Sequence, residues 1–209
     1  MKKLRFYAVA KAVLGPIIKF FMRIRVHDAH NAYSSGGVVV CSNHLSMLDC
    51  ITLAIAFKKP IRFLAKKELF SIPVFRSLIS SLGAYGVDRG GADVGAIKKT
   101  ISMLRDGATI GIFPQGTRCI GADVNDTKFK NGAAMAASHA GVPIQPVFIG
   151  TKNAKYKFLR RKEVYIGKII TQEELGFSED EHTSYADATE ILKSRIIELQ
   201  AKYKSEAGK

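Results

Sequence analysis

The sequence predicts an α/β fold: a largely parallel central sheet flanked by helices, preceded by a basic amphipathic helical hairpin. Three observations predict it. β-Branched or apolar runs such as Val38 to Val40 and Ala108 to Phe113 alternate with longer helical patterns, as in parallel strands joined by crossover helices. Turn residues (Gly107, Pro114) close several of these runs. The chain of 209 residues shows no internal repeat and no low-complexity linker, so one domain with a full core is expected.

Residues 1–25 carry seven Lys or Arg and no acid among many aromatic and aliphatic side chains. No charge-free run approaches the ~20 residues of a membrane-spanning helix. Lys11 interrupts any signal-peptide core. Gly15-Pro16 is expected to divide the segment into two short helices. Such helices suit a bilayer interface, with Lys and Arg reaching the headgroups. The expected organisation is a membrane-interfacial helical segment over 1–25 and a single α/β domain over 26–209.

The β-branched run from Val38 reads as a buried strand that ends in the polar Ser42-Asn43, and Leu45 to Phe57 as a helix. Ile61 to Ala65 is a strand and Pro73 to Ser81 a helix opened by proline. Leu82 to Val87 is a short strand. Asp93 to Arg105 is a helix with Val94, Ile97, Ile101 and Leu104 on one side, and Ala108 to Phe113 is the next strand. Ala133 to His139 is a small-residue helix. Val142 to Ile149 is extended, and its prolines predict an edge or a bulge. Glu163 to Ile170 is a strand, and Tyr185 to Tyr203 a terminal amphipathic helix.

Charge narrows the function. There are 32 basic and 18 acidic residues, a net +14, which implies an anionic partner: nucleic acid, a membrane surface or an anionic substrate. No base-stacking aromatic motif or recognition helix stands out, so nucleic acid is not expected. Three cysteines without Cys-x-x-Cys spacing argue against a disulfide framework and a zinc site.

The chemistry concentrates where the first buried strand ends in Ser42-Asn43-His44. An imidazole at the carboxyl end of a sheet strand sits where ligands bind in open α/β folds, and it titrates near neutrality. It is therefore the natural base for an alcohol or thiol, with Asp49 placed to fix its tautomer. Spacing alone decides nothing, because His182 and Asp187 repeat it among exposed-looking charges without a preceding strand. Context separates the two copies. Cations stand at three further strand ends: Lys66, Arg89 beside Gly90-Gly91, and Arg118 in Phe113-Pro114-Gln115-Gly116-Thr117-Arg118. Together they describe a base beside a phosphate clamp.

Four ordered blocks carry a resemblance: Asn43-His44-x-Ser46-x-x-Asp49, Lys66-x-Glu68-Leu69-x-x-x-Pro73, Phe113-Pro114-x-Gly116-Thr117-Arg118 and Val142-Pro143-Ile144-x-Pro146-Val147. They resemble the glycerolipid acyltransferase family and cover about half the chain; the basic N-terminal segment resembles that family's membrane-docking element. The resemblance implies direct transfer of a fatty acyl group from acyl-CoA or acyl carrier protein to the sn-2 hydroxyl of lysophosphatidic acid, giving phosphatidic acid. It implies His44 as base, Asp49 as its orienting partner, and Lys66, Arg89, Gln115, Gly116, Thr117 and Arg118 as substrate-binding residues. No cofactor or metal is expected, the thioester being a co-substrate. The implied partners are the phospholipid surface, lysophosphatidic acid and the acyl donor, at the cytoplasmic face of the cell membrane.

Gln115 stands where the family usually carries Glu, and Cys119 where Ser is common. If the usual carboxylate meets the acceptor's hydroxyl, the Gln115 amide can replace it as a hydrogen-bonding group. Cys119 invites a thiolate-nucleophile alternative with His44 as activator. Two other readings stay open: the same fold acting on another acceptor (glycerol 3-phosphate or another lysolipid), and a basic membrane-binding protein that has lost catalysis.

Overall fold

A computed structural model describes residues 2–66, 85–87, 94–152, 159–177 and 181–207. The expected helix over Pro73 to Ser81, the stretch Lys67 to Ala84, and Asp88 to Asp93 with Arg89 lie outside the described residues. The first described element is α1 (Lys2–Phe21), followed by β1 (Ile24–His27), a short 3-10 turn (Ala29–Asn31), β2 (Val38–Ser42) and α2 (Asp49–Ala56). Next come β3 (Ile61–Lys66), β4 (Tyr85–Val87), α3 (Val94–Arg105), β5 (Thr109–Ile112) and α4 (Gly132–Ala140). The chain continues through β6 (Ile144–Thr151), β7 (Lys162–Ile166) and α5 (Glu181–Ala207).

The strands form one sheet in the order β1-β7-β6-β2-β5-β3-β4. Every neighbouring pair is parallel except β6 with β7. The carboxyl ends of β2, β3, β5 and β6 therefore share one end of the sheet, together with the starts of β7 and β1. Apolar cover is two-sided. Val39, Cys41 and Ile110 face α3, α4 and α5, whereas Val38, Val40, Ile61 and Phe63 face α2 and the end of α1. At about 25 cal/mol per Å² of apolar surface buried, these two layers are the main stabilising term.

Three expectations are corrected. The first is the N-terminal hairpin: α1 is one helix that runs through Gly15-Pro16, and Ile24 and Arg25 leave it to begin β1. An interior proline costs roughly 3 kcal/mol and one hydrogen bond. Tertiary contacts offset it, since Met22 is buried, Ile18 joins the layer beneath α2, and the Lys11 ammonium donates to the carbonyls of Phe57 and Lys58. Among the described residues, no helix is long and apolar enough to cross a membrane.

The second correction concerns β6. Its prolines predict an edge or a bulge. The edge is wrong, since β6 is buried along its whole length between β2 and β7. The register does slip by one residue beside Pro146, Val147 pairing with Ile166 but Ile144 with Ile170. The antiparallel register sets Pro146 opposite Gly167, and Gly167 N–H donates to Pro146 O at 3.0 Å. The return bond needs an N–H that proline lacks. The Gln145 side-chain amide supplies it by donating to Gly167 O, so no acceptor is orphaned.

The third is the helix after His44, which begins only at Asp49. Residues 45–48 form a turn instead, for a reason that belongs to the site.

Candidate active site

His44 Nδ1 lies 2.8 Å from Asp49 Oδ2. The same oxygen accepts the backbone N–H groups of Leu45 at 2.6 Å and Ser46 at 2.7 Å. Two backbone N–H groups already use this oxygen as an acceptor, so the Nδ1 contact is assigned as a third N–H donated to it, the tautomer in which Nε2 keeps its lone pair. Asp49 is fully buried, while the His44 side chain retains 16% exposure. Five residues is a poor same-face spacing on a helix. It works here because Asp49 opens α2 and folds its carboxylate back over the turn, and those backbone bonds stop residues 45–48 from winding.

Two amides anchor the turn. Asn43 donates to Ile149 O at 3.0 Å and accepts Ile149 N–H at 2.8 Å, extending the β2–β6 ladder with its side chain. Gln115 accepts the backbone N–H of His44 at 2.7 Å and donates to Thr127 Oγ1 at 2.9 Å. The Thr127 hydroxyl donates onward to Val124 O at 2.8 Å. Gln115 is buried, and both ends of its amide are engaged inside the protein. In this structure the amide holds the turn that carries His44 through its internal partners.

The imidazole is also held by aromatic stacking. Its ring lies 4.0 Å from that of Phe113, nearly parallel, and Phe113 lies 5.9 Å from Phe63, again nearly parallel. Gly111 makes room for this stack, because a Cβ there would sit 2.2 Å from Phe63 Cε1. Phe63 does not stand out as a site residue in the sequence, where it reads as a core strand position, and Phe113 opens the third block without any stated role.

The cationic side is open to solvent. Gly116 adopts φ +70°, the left-handed turn that favours glycine, and Thr117 and Arg118 that follow it are exposed. The N–H groups of His44, Leu45, Ser46 and Gly116 are all taken internally, Gly116 N–H by Phe113 O at 3.0 Å. Those of Thr117 and Arg118 have no partner among the described residues. Lys66 ends β3 at this same end of the sheet; its side chain, like the whole of Arg89, lies outside the described residues.

Lys130 is a cation the sequence reading passes over. Its Cε lies 3.0 Å from where a Gly116 Cβ would stand, and its N–H donates to Pro114 O at 2.8 Å. A usable signal was present: Lys128 and Lys130 precede the start of α4, where the helix dipole favours anions.

Cys119 N–H donates to His44 O at 2.8 Å, but the thiol points at Thr117 O, 3.9 Å away, and shows no contact with the imidazole. Burial pushes the Cys41 thiol far above its ordinary pKa, which makes it packing. His182 falls in the first turn of α5, and Asp187 is exposed on that helix.

This geometry can be set beside known proteins. The sequence pattern of the Acyltransferase family matches residues 23–150. A Bacillus subtilis 1-acyl-sn-glycerol-3-phosphate acyltransferase is 31% identical over 199 residues, 94% of this chain and 98% of the relative. The Escherichia coli protein of the same name is 31% identical over 150 residues, 70% of this chain and 60% of its own length. The crystal structure of the 1-acyl-sn-glycerophosphate (LPA) acyltransferase PlsC from Thermotoga maritima superposes with a TM-score of 0.66 at 28% identity, covering 91% of this chain and 81% of that one. With a family pattern over more than half its length, and a relative matched along nearly all of both chains, this chain belongs to the acyltransferase family.

Proposed function

We propose that this acyltransferase moves a fatty acyl group from a thioester donor, acyl-CoA or acyl carrier protein, to the sn-2 hydroxyl of lysophosphatidic acid. The observation that carries the reading is the His44–Asp49 pair, whose Nε2 has no partner among the described residues and whose backbone carbonyl meets the loop of exposed Arg118 through Cys119 N–H. The names of the relatives support the acceptor.

In this mechanism the acceptor hydroxyl gives its proton to His44 Nε2 while its oxygen attacks the thioester carbonyl. Asp49 stabilises the imidazolium that forms. A positioned base of this kind contributes ~10²–10⁴-fold. The N–H groups of Thr117 and Arg118, without a partner among the described residues, are the donors this reading assigns to the tetrahedral oxyanion. Collapse breaks the C–S bond, and the imidazolium proton passes to the leaving thiolate, giving phosphatidic acid and a free thiol. Arg118, with Lys66 and Arg89, holds the acceptor phosphate, and Gly116 and Thr117 shape the loop around it. No residue of the chain becomes acylated, which sets the Cys119 alternative aside.

In this reading the molecule works at a bilayer interface on the cytoplasmic face, and the exposed apolar residues of α1 support it. The experiment is incubation of the purified protein with lysophosphatidic acid and labelled acyl-CoA, and separately with acyl carrier protein. Labelled phosphatidic acid with either donor is expected. Transfer only to glycerol 3-phosphate or to a phosphate-free lysolipid would reassign the acceptor, and no transfer to any of them would leave a lapsed enzyme.

A further inference from the structure

The edge of the sheet opposite β4 carries a cleft that acyl transfer does not use. It encloses about 670 Å³ and is walled by Arg23, Arg25, Lys152, Arg160 and Arg161, with Glu163 and Glu206 on its floor. The carboxylates are already engaged. Glu163 meets His27 Nε2 at 2.7 Å and Arg161 at 3.4 Å, and Glu206 accepts the Tyr165 hydroxyl at 2.6 Å. Arg160 leans on Lys152 O at 3.3 Å. The side chains of Arg23, Arg25 and Lys152 are exposed and make no ion pair among the described residues. The cleft therefore presents a surplus of unneutralised positive charge.

Its place in the fold indicates what neutralises that charge. The starts of β1 and β7 and the end of β6 build it, so it opens at the end of the sheet where His44 lies. It opens on the α5 side, whereas His44 stacks on the α2 side. Three strand spacings separate β1 from β2, roughly 14 Å. Large apolar side chains accompany the cations: Leu159 lines the cleft, 64% exposed, and Phe20 and Phe21 precede Arg23 in the chain, 77% and 50% exposed. A soluble acidic partner would match the charge but leave these groups in water. A bilayer takes up both, aromatic and aliphatic tips entering the interface while Arg and Lys meet phosphate.

We propose that this cleft is a binding site for the headgroup of an anionic phospholipid of the bilayer, separate from the acceptor site at His44. A resident lipid held there would lock the His44 end of the sheet against the membrane from which the acceptor arrives. The proposal shares with the functional reading only the orientation of that end toward a bilayer.

The test is co-sedimentation with vesicles of phosphatidylcholine alone and of phosphatidylcholine mixed with phosphatidylglycerol. It compares the parent, an Arg25→Gln/Arg160→Gln/Arg161→Gln variant and a Phe20→Ser/Phe21→Ser variant. The triple variant should lose its preference for the anionic vesicles by about tenfold or more, since each basic group near such a surface contributes appreciably. Its binding to phosphatidylcholine, and its transfer from acyl-CoA to detergent-dispersed lysophosphatidic acid, should match the parent. Should it fail to fold, the Arg25→Gln and Lys152→Gln variants, both at exposed positions, are read in the same assay. A parent-like anionic preference overturns the proposal. So does loss of transfer in detergent, which would make the cleft part of the acceptor site. Unchanged vesicle binding with loss of transfer from acyl carrier protein alone would assign the cleft to that acidic carrier, and also overturns it. The phenylalanine variant should bind phosphatidylcholine more weakly; undiminished binding removes the ground for choosing a bilayer over a soluble acidic partner and also overturns the proposal.

Discussion

Gln115 Oε1 accepts the backbone N–H of His44 at 2.7 Å, so the loop after β5 directly fixes the turn after β2. The residue where this chain departs from the family pattern is thus a positioning residue for the proposed base. Gln115→Ala leaves the His44 N–H and the Thr127 hydroxyl short of a buried partner, a loss of about 1–3 kcal/mol. The expected outcome is a fall in kcat with little change in acceptor KM. Gln115→Glu keeps the acceptor for His44 N–H but cannot donate to Thr127, whose hydroxyl must then abandon Val124 O. It should be milder than Gln115→Ala in both stability and kcat. Steady-state kinetics over acceptor concentration, with thermal unfolding of the three proteins, checks this. A change confined to KM would return Gln115 to the acceptor site.

His44→Ala should abolish nearly all transfer, by ~10²–10⁴-fold or more, with the fold retained, since the ring is partly exposed and caps no helix. Asp49→Asn should lose activity and stability together. Its Oδ2 holds two backbone N–H groups besides the imidazole, and an amide placed there brings a donor against donors. His182→Ala should leave the rate of product formation unchanged. Equal losses in the two histidine variants would displace the base from His44.

Gly111→Ala should act at a distance on the imidazole. The new methyl collides with Phe63, which must move and carry the Phe113–His44 stack with it. Overpacking of this kind costs typically 1–3 kcal/mol. Adding Phe63→Leu should restore part of both stability and activity, a non-additive pair expected of residues in contact. Additive losses in unfolding and rate measurements would show that the stack does not support the ring.

Lys162 contributes a pH dependence. Its side chain is buried at the start of β7, and burial lowers its ammonium pKa from the ordinary 10.5 to about 8. Below pH 8 the folded and unfolded chains both carry the proton, and folding bears the full cost of burying the charge. From pH 8 to about 10.5 the unfolded chain binds more protons than the folded one, so this group's contribution to stability rises with pH. Lys162→Met should remove this pH dependence, so the stability difference between the two proteins should shift in favour of the parent between pH 7 and pH 9.5. Denaturant titrations of both proteins at the two pH values measure it, and a constant gap would refute the assignment.

Deleting residues 1–21 tests α1 from two sides. The loss of Ile18 and of the Lys11 contacts to Phe57 and Lys58 should lower the melting temperature modestly. The loss of exposed Val13, Ile17, Phe20 and Phe21 should weaken vesicle binding far more. Sedimentation with vesicles and thermal unfolding separate the two effects.

The sequence by itself determined the local chemistry. A β-branched run broken by Asn43-His44 declares a strand end with an imidazole, and the four ordered blocks declare the family, because both are written in neighbouring residues. The pairing of His44 with Asp49 was also legible, being only five positions long. What only the tertiary structure decided rests on residues distant in the chain. Whether Gln115 faces the acceptor or the interior depends on His44, 71 positions away, and on Thr127. Whether Pro146 makes an edge depends on Gln145 reaching across to Gly167. Whether Pro16 ends a helix depends on the surface that α2 offers α1. The cleft of Arg23, Arg25, Lys152, Arg160 and Arg161 exists only because β1 pairs with β7, and no local pattern announces that pairing. Propensity and spacing act over a few residues; the direction of a buried side chain is set by whichever distant partner satisfies its polar atoms.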